Sequence, residues 1–191
     1  IAVFGTESKL DFVSQNPLMN PSTMYGITKL AGEKLIEYYF NRFGLDIRSL
    51  RYPGIISTET VPGGGTTDYI IEMVNAAKKG ENYCCFLSEN TKLPMMYIDD
   101  AIESAINLMS VNRNNLSISN SYNITGFSIT PIQLLNEILS NGFKIKVDFK
   151  PDFRQQIADS WPKKINDSIS TKDWGWKPKF GLKESIYAAL K

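Results

Sequence analysis

Apolar and polar positions divide the 191-residue chain into alternating candidate strands and helices. The opening run "IAVFG" is a candidate buried strand, and a loop rich in Ser, Asn and Pro follows it. A long helix is predicted from a cap at Ser22 or Thr23 to about Phe43. The run "LDIRSLRY" predicts the next strand, which a Pro-Gly pair ends. A strand, a helix and a strand in this order predict a βαβ unit, hence a parallel sheet covered by helices.

Shorter elements are predicted beyond this unit. The predicted helices lie at about 68–79, at about 101–111, in "TPIQLLNEILSNG" and in the closing "GLKESIYAALK". The predicted strands lie in "NYCCFLS", "KLPMMYI", "SYNIT" and "KIKVDFK". Asp99 or Asp100 is the expected N-cap of the helix at 101–111. The pattern therefore predicts an α/β chain with mixed, smaller elements in its second half.

The long helix carries more apolar surface than one sheet can cover. At about 100° per residue it is apolar over more than half of its circumference, with Glu33 in the polar wedge. Its two apolar arcs consist of Met24, Ile27, Ala31, Leu35 and Tyr38, and of Ile36, Phe40 and Phe43. The two arcs cannot both face one sheet. The second one predicts either a partner subunit or a small core under a loop.

Composition and charge limit the classes of function. A hydrophobic content of 42% supports one buried domain with a small second lobe, and a net charge of +1 gives no footprint for nucleic acid or an anionic membrane. No apolar run approaches the roughly 20 residues that a membrane span needs. Cys84 and Cys85 are adjacent, which is poor spacing for a disulfide and favours a reducing compartment. Without histidine, no structural zinc site is expected, and a general base must be Tyr, Lys, Asp or Glu.

Tyr25 and Lys29 form a candidate acid–base pair. Residues four apart share a helix face, and a lysine ammonium there favours the phenolate form of a tyrosine. A free tyrosine has a pKa near 10, so action at pH 7–8 needs roughly 3–4 kcal/mol from its surroundings. The pair could also be an ordinary solvated pair. Its place at a helix start, after a buried strand, favours chemistry because α/β ligand sites lie at that edge of a parallel sheet.

A glycine-rich loop precedes the helix at 68–79. In "PGGGTTDYIIEMV" the loop ends at a helix N-terminus, where free N–H groups bind anions and glycines allow close approach. The loop lacks the lysine of a phosphate-binding P-loop, so a single carboxylate fits better than a triphosphate. Thr66 and Thr67 are the expected hydrogen-bonding groups. The alternative is that Thr67 or Asp68 only caps the helix, and both readings can hold together.

Tryptophans mark two further segments. Trp161 in "IADSWP" lies in a loop with prolines and an acid, where a tryptophan is more often a packing residue than a catalytic one. Trp174 and Trp176 in "DWGW" are expected to be core and cap residues.

The ordered set of motifs resembles a known family. The helix "PSTMYGITK" with "RYPGIIS", "PGGGTTDY", "LPMMYIDD", "YNIT", "IADSWP" and "KDWGWKP" resembles the extended short-chain dehydrogenase/reductases and, among them, the NAD-dependent L-threonine 3-dehydrogenases. The resemblance covers essentially the whole chain. It implies the C-terminal part of an NAD(P)-binding Rossmann-like fold with a small mixed α/β substrate lobe. Residues 1–60 would be the C-terminal part of the dinucleotide-binding sheet with the catalytic helix. Residues 61–191 would be the substrate-binding lobe, with helices that return to the Rossmann sheet.

The resemblance also implies roles for individual residues. Tyr25 would be the catalytic base, and Lys29 would bind the nicotinamide ribose and lower the pKa of the tyrosine. The implied cofactor-binding residues are Tyr25, Lys29, Tyr52, Pro53, Gly54 and Ile55. The implied substrate-binding residues are Gly65, Thr66, Thr67, Asp68 and Trp161.

The implied reaction is oxidation of L-threonine to 2-amino-3-oxobutanoate with NAD. The expected partners are this small substrate and a second subunit, in a homodimer formed through the Tyr25–Lys29 helix, with no metal, nucleic acid or membrane. An intracellular location, cytoplasmic or mitochondrial, is expected.

Two parts of the family pattern are missing from the 191 residues. The Ser or Thr partner of the catalytic pair would precede Ile1, and no glycine-rich dinucleotide fingerprint occurs. We therefore expect the chain to be the C-terminal part of a longer protein and to be catalytically silent alone.

Two other classes are the alternatives. A nucleotide-sugar epimerase or dehydratase usually carries an Arg-Asp-aromatic start where this chain reads "TKLPMMYIDD". A non-catalytic NAD-sensing or scaffold protein predicts a decayed Tyr/Lys pair, and this pair is intact.

Overall fold

The computed structural model describes residues 1–8, 10–59 and 61–191. The helices are α1 (Met24–Phe43), α2 (Tyr69–Lys79), α3 (Ile98–Ser110), α4 (Pro131–Ser140), α5 (Arg154–Asp159), α6 (Ser168–Trp174) and α7 (Leu182–Leu190), with a short 3-10 turn at Arg113–Asn115. The strands are β1 (Leu50–Arg51), β2 (Gly54–Ile56), β3 (Tyr83–Cys85), β4 (Leu93–Tyr97), β5 (Tyr122–Asn123), β6 (Phe127–Ile129) and β7 (Val147–Phe149). Within the described residues, no helix is both long enough and apolar enough to cross a bilayer.

The strands form three small sheets that are mostly parallel. Strand β1 pairs with β5, and β3 pairs with β7, both in parallel. The third sheet has the order β2-β4-β6, in which β2 and β4 are parallel and β4 and β6 are antiparallel. In the β1–β5 and β2–β4 pairs, a strand that precedes residue 60 is hydrogen-bonded to a strand that follows it. The α/β class with mixed elements is confirmed.

Local signals explain both ends of α1. The hydroxyl of Thr23 accepts a hydrogen bond from the N–H of Gly26 at 3.1 Å, which is the side-chain cap that the sequence predicts. Gly44 ends the helix in the left-handed conformation at φ 67°, and its N–H donates to the Phe40 carbonyl at 2.9 Å.

Only one side of α1 faces the body of the protein. That side consists of buried Gly26 and the half-buried Leu30, Glu33, Ile36 and Phe40. The arc of Met24, Ile27, Ala31, Leu35 and Tyr38 is exposed. The prediction that Glu33 lies in the solvated wedge of the helix was therefore wrong.

The strand predicted in "IAVFG" was also wrong. Residues 2–3 form a turn, in which the N–H of Phe4 donates to the carbonyl of Ile1 at 3.2 Å. The segment is nevertheless buried, and Val3 and Phe4 form a small core with Val13 and Ile165. The apolar run indicated burial correctly, but a strand also needs a hydrogen-bonded neighbour along its length.

The predicted cap at the start of α3 was wrong for a related reason. Helix α3 begins at Ile98, three residues earlier than expected, with Tyr97 at the N-cap position. The carboxylate of Asp100 is 1% exposed and accepts from the N–H groups of Lys179 and Phe180, each at 3.0 Å. This acid therefore holds the segment before α7 instead of capping its own helix.

The main core lies where α2 packs against α4 and α7 and against the β2-β4-β6 sheet. Its fully buried side chains include Tyr69, Met73, Met95 and Ile186. Burial raises the pKa of the Cys85 thiol in this core to about 11, whereas Cys84 is exposed. The core therefore holds the start of α2, and with it the end of the glycine-rich loop.

Candidate functional site

Tyr25 and Lys29 lie together at the edge of a cavity of about 470 Å³. The cavity is bounded by α1, by residues 1–3 and by residues 49–52. The Lys29 ammonium lies 5.3 Å from the centroid of the Tyr25 ring, and the Tyr25 side chain is exposed. The two side chains predicted to carry the chemistry are therefore adjacent and accessible from one space.

The start of α1 rests directly on the backbone at the chain's first residues. A Cβ atom on Gly26 would lie 2.2 Å from the Ala2 carbonyl oxygen and 2.7 Å from the Pro21 Cβ. Only glycine permits this approach. Because Gly26 follows Tyr25, the contact fixes the position of the tyrosine backbone.

A buried ion pair fixes α1 at a second point, two turns further along. The guanidinium of Arg51 donates from Nε to one oxygen of Glu33 at 2.8 Å and from Nη2 to the other at 2.7 Å. The side chains are 5% and 13% exposed, respectively. Charge-assisted, two-point pairs of this kind are the more strongly oriented ones. Lys29 lies between this pair and the Gly26 contact.

The ion pair belongs to a wider network of buried polar groups. Nη1 of Arg51 donates to the Gln15 carbonyl at 2.6 Å and to the Asn123 side-chain oxygen at 3.2 Å. The N–H of Asn123 donates to the Gln15 side chain at 3.0 Å, and its amide donates to the Ser14 carbonyl at 3.0 Å. No sequence pattern predicted this network. Its signal would have been Glu33, which falls seven residues after Gly26 on the same helix face.

The predicted cofactor-binding segment divides between two cavities. Tyr52 lines the first cavity, and its hydroxyl donates to the Ala101 carbonyl at 2.9 Å. Pro53 and Gly54 are buried, and a Cβ on Gly54 would lie 2.5 Å from the Met95 sulfur. Ile55 is exposed and lines a second cavity of about 480 Å³. The Pro-Gly step therefore passes from one cavity to the other.

The glycine-rich loop forms a wall of the second cavity, and Asp68 organises it. The Asp68 carboxylate accepts from the N–H of Gly63 at 2.9 Å and of Gly65 at 2.8 Å. Gly64 between them has φ 89°, a left-handed conformation that favours glycine. Asp68 makes no side-chain cap bond to α2. Two of the loop N–H groups that could bind an anion are therefore already bonded to the chain's own carboxylate.

The two threonines that follow the glycines are less exposed. Thr66 is buried, and Thr67 is half-buried with its methyl group against Gly54. Among the described residues, neither hydroxyl has a hydrogen-bond partner within the chain. Neither threonine lines the second cavity in the described part of the chain.

Trp161 follows α5 and packs, half-buried, against the main core. In the part of the chain that the structure describes, it lines neither cavity. The residues after it pair with the loop before α1: the N–H of Val13 donates to the Lys164 carbonyl at 3.0 Å, and Val13 and Ile165 form a parallel bridge. The Trp161 segment is therefore joined to the loop that leads into α1.

The comparisons with known proteins agree on one family. Residues 2–125 match the NAD dependent epimerase/dehydratase family. The mitochondrial L-threonine 3-dehydrogenase of Bos taurus is 42% identical over 191 residues, which is 100% of this chain and 51% of that protein. An uncharacterized epimerase/dehydratase of Staphylococcus haemolyticus is 43% identical over 184 residues, 95% of this chain and 58% of that protein.

A solved structure matches almost the whole fold. The holo form of a GalE-like L-threonine dehydrogenase from Cupriavidus necator has a TM-score of 0.96 and 46% identity, covering 99% of this chain and 61% of that chain. The chain thus spans between about half and three fifths of the length of these relatives. The chain belongs to the NAD dependent epimerase/dehydratase family.

Proposed function

We propose that the protein containing residues 1–191 is an NAD-dependent dehydrogenase that oxidises L-threonine to 2-amino-3-oxobutanoate. The observation that carries the proposal is the adjacent, accessible Tyr25–Lys29 pair in a chain that resembles threonine dehydrogenases from end to end. A non-catalytic relative would have no need to keep this pair.

The groups around the first cavity fit the nicotinamide-ribose end of NAD. The Lys29 ammonium has no ion-pair partner among the described residues, and an ammonium is a natural donor to ribose hydroxyls. The exposed Tyr25 side chain is beside it, with its ring centroid 5.3 Å from the ammonium. Tyr52 lines the same cavity, and Pro53, Gly54 and Ile55 are proposed to contact the cofactor where the segment passes on to the second cavity. Residues 1–191 contain no glycine-rich turn for the pyrophosphate.

In the proposed reaction, Tyr25 removes the proton from the threonine hydroxyl. NAD, when bound, supplies the acceptor for the hydride that leaves the threonine Cβ. The O–H and C–H bonds break and a C=O bond forms, so one proton goes to Tyr25 and the electron pair leaves with the hydride. Lys29 stabilises the phenolate that must exist before the proton is removed.

The second cavity is the proposed binding place of the amino acid. Gly65, Thr66, Thr67, Asp68 and Trp161 are the proposed substrate-binding residues. Asp68 would act through the shape of the loop, because its carboxylate is bonded to the amides of Gly63 and Gly65. Within the described residues neither Thr66 nor Thr67 lines this cavity, so their hydroxyls would donate to the threonine carboxylate only after a local rearrangement of the loop. Trp161 would reach the substrate only with a rearrangement of its segment.

The substrate proposal is tested by a direct assay of the gene product that carries residues 1–191. We expect NADH formation, followed by its absorbance, with L-threonine and none with UDP-sugars. Turnover of a UDP-sugar without threonine oxidation would favour the nucleotide-sugar epimerase/dehydratase alternative. The Arg-Asp-aromatic start typical of that group is not in "TKLPMMYIDD", which counts against this alternative.

We expect Thr66→Val to raise the KM for L-threonine about 10-fold or more, with little change in the KM for NAD. The substitution keeps the shape of the side chain and removes its hydroxyl, and a hydrogen bond to a charged group contributes about 1.5–3 kcal/mol. Thr67→Val is the second variant of the pair, and Thr130→Val, at the cap of α4, is the control outside the site. Unchanged threonine kinetics in both loop variants would mean that this segment only shapes the start of α2 and does not bind the substrate.

We also propose that two copies associate through α1. The arc of Met24, Ile27, Ala31, Leu35 and Tyr38 is exposed, and it is too apolar for a face that stays in water. We also propose that the dinucleotide-binding part ends at residue 60 and that the substrate-binding lobe begins at residue 61. The proposed location is intracellular, either cytoplasmic or mitochondrial.

Leu35→Glu is expected to convert the dimer to a monomer. It puts a charge at the middle of the apolar arc, where a paired helix would have to desolvate it. Sedimentation velocity measures the change in mass. Asn41→Glu, on the exposed polar side of the same helix, is the control and should leave the mass unchanged. A monomeric wild-type protein would contradict the proposal directly.

A further inference from the structure

A carboxylate lies one helical turn beyond Lys29, yet it is bound by another element. Lys29 and Glu33 are four residues apart, a spacing at which opposite charges on a helix attract each other. Both oxygens of Glu33 instead accept hydrogen bonds from Arg51, at 2.8 and 2.7 Å. The Lys29 ammonium has no ion-pair partner among the described residues and lies over the Tyr25 ring. Arg51 thus holds the one carboxylate that Lys29 could otherwise bind on its own helix face.

We propose that Arg51 is a positioning residue that keeps Lys29 available to Tyr25 by holding the carboxylate of Glu33. The inference rests on the proposed function only in making Tyr25 the base. Loss of Arg51 would change the ionisation of Tyr25, so the proposed role of Arg51 is more than structural.

The geometry makes Arg51 the stronger partner for Glu33. Arg51 and Glu33 are almost fully buried, and the guanidinium is also held by the Gln15 carbonyl and the Asn123 side chain. A planar guanidinium binds both carboxylate oxygens at once, whereas an ammonium on a flexible stem binds at one point. Lys29 is exposed and would lose more side-chain freedom on pairing. Glu33 therefore stays with Arg51 as long as the guanidinium is present.

The other described charged groups near the cavity do not offer Lys29 a second carboxylate. The charged or titratable side chains that line the cavity are those of Tyr25, Lys29, Glu33, Arg51 and Tyr52. Lys34 and Glu37 pair with each other on the exposed side of α1, at 2.9 Å. Among the described groups that line the cavity, Glu33 is the one acid, and Arg51 neutralises it.

The first test is a double-mutant cycle of Arg51 and Glu33 in the gene product that carries residues 1–191. Arg51→Gln leaves Glu33 without its cation, so the carboxylate draws Lys29 away from Tyr25. We expect the acid limb of the kcat–pH profile to move up by about one pH unit. Arg51→Gln with Glu33→Gln removes the competing charge as well and should return the limb to the wild-type position. Equal shifts in the single and double variants would overturn the proposal.

A second pair of variants tests the same idea without touching Arg51. A Cβ on Gly32 meets no atom within 4 Å, and Gly32 lies three residues after Lys29 on the rim of the cavity. Gly32→Glu therefore offers Lys29 an unpaired carboxylate at little steric cost. We expect the acid limb to move up as in Arg51→Gln. Gly32→Gln, which matches its size without the charge, is the control, and an equal profile for the two would overturn the proposal.

A spectroscopic readout separates this inference from the proposed function. The tyrosinate absorbance that Tyr25 contributes, taken as the difference from the same protein with Tyr25→Phe, gives its titration midpoint without any substrate. We expect the midpoint to move up in Arg51→Gln and to return in Arg51→Gln with Glu33→Gln, whether or not L-threonine is the substrate. In a Lys29→Met background, Arg51→Gln should no longer move it by a comparable amount. A full shift in that background would show that Glu33 acts on Tyr25 directly and would overturn the role of Lys29.

Glu37→Gln is the control for removing a charge from α1. Its ion pair with Lys34 lies on the exposed side of the helix, away from the cavity. The tyrosinate midpoint should stay where it is in the wild-type protein. A shift as large as that of Arg51→Gln would mean that the net charge of the helix, and not Arg51, sets the ionisation, and would overturn the proposal.

Discussion

Tyr25→Phe is expected to lower kcat by at least about 100-fold, the usual scale of general acid–base catalysis. The substitution removes the phenolic oxygen and leaves the ring, so the helix start and cofactor affinity should survive. Circular dichroism and NAD binding by calorimetry check both. Because Tyr25 is largely exposed, at 63%, the loss of its hydroxyl should cost little stability. The effect is therefore expected in the chemical step alone.

Tyr38→Phe is the matched control for this prediction. Tyr38 lies on the same helix and is also exposed, at 56%, but it does not line the first cavity within the described part of the chain. Its kcat should equal that of the wild-type protein. A nearly normal kcat in Tyr25→Phe would show that Tyr25 is not the general base.

Gly26→Val and Gly32→Ala are expected to change stability in opposite directions, although both replace a glycine of α1. A Cβ on Gly26 would lie 2.2 Å from the Ala2 carbonyl oxygen, which is backbone and cannot rotate away. We expect a loss of about 1–3 kcal/mol or more, as in overpacked cores. At Gly32 a Cβ enters open space, so a gain of roughly 0.5–1 kcal/mol is expected from the higher helix propensity of alanine.

Urea denaturation measures both changes, and activity adds a further distinction. Gly26→Val should also lower kcat, because moving residue 26 away from Ala2 displaces Tyr25 beside it. Gly32→Ala should leave kcat within about twofold, since a small methyl group changes neither charge nor backbone there. Equal stability in the two variants would contradict the tight contact at Gly26.

The sequence predicts elements well where local chemistry decides them. Helix α1 begins after Thr23 and ends before Gly44 as predicted, because a side-chain cap and a left-handed glycine act within a few residues. The capped start of α4 at Pro131 follows the same rule. The Tyr25–Lys29 pair was found for the same reason, since four-residue spacing fixes it on one face.

The features that the sequence did not reveal depend on distant partners. "IAVFG" is buried without being a strand, and Asp100 binds Lys179 and Phe180 from a site 79 residues away instead of capping α3. The Glu33–Arg51 pair is of the same kind. A pattern of apolar and polar residues indicates which side chains are buried, but it does not name the partner of a buried charge. That partner depends on how the elements pack.

The bridge between Val13 and Ile165 sets an order of events during synthesis of the protein. The loop that leads into α1 completes its backbone pairing only with residues about 150 positions later. A chain emerging from the ribosome can therefore bring Gly26 against Ala2 and pair Glu33 with Arg51 well before this loop finds its backbone partner. Until roughly residue 166 has emerged, the N–H of Val13 lacks the Lys164 carbonyl, so we expect the loop before α1 to become ordered after the helix itself.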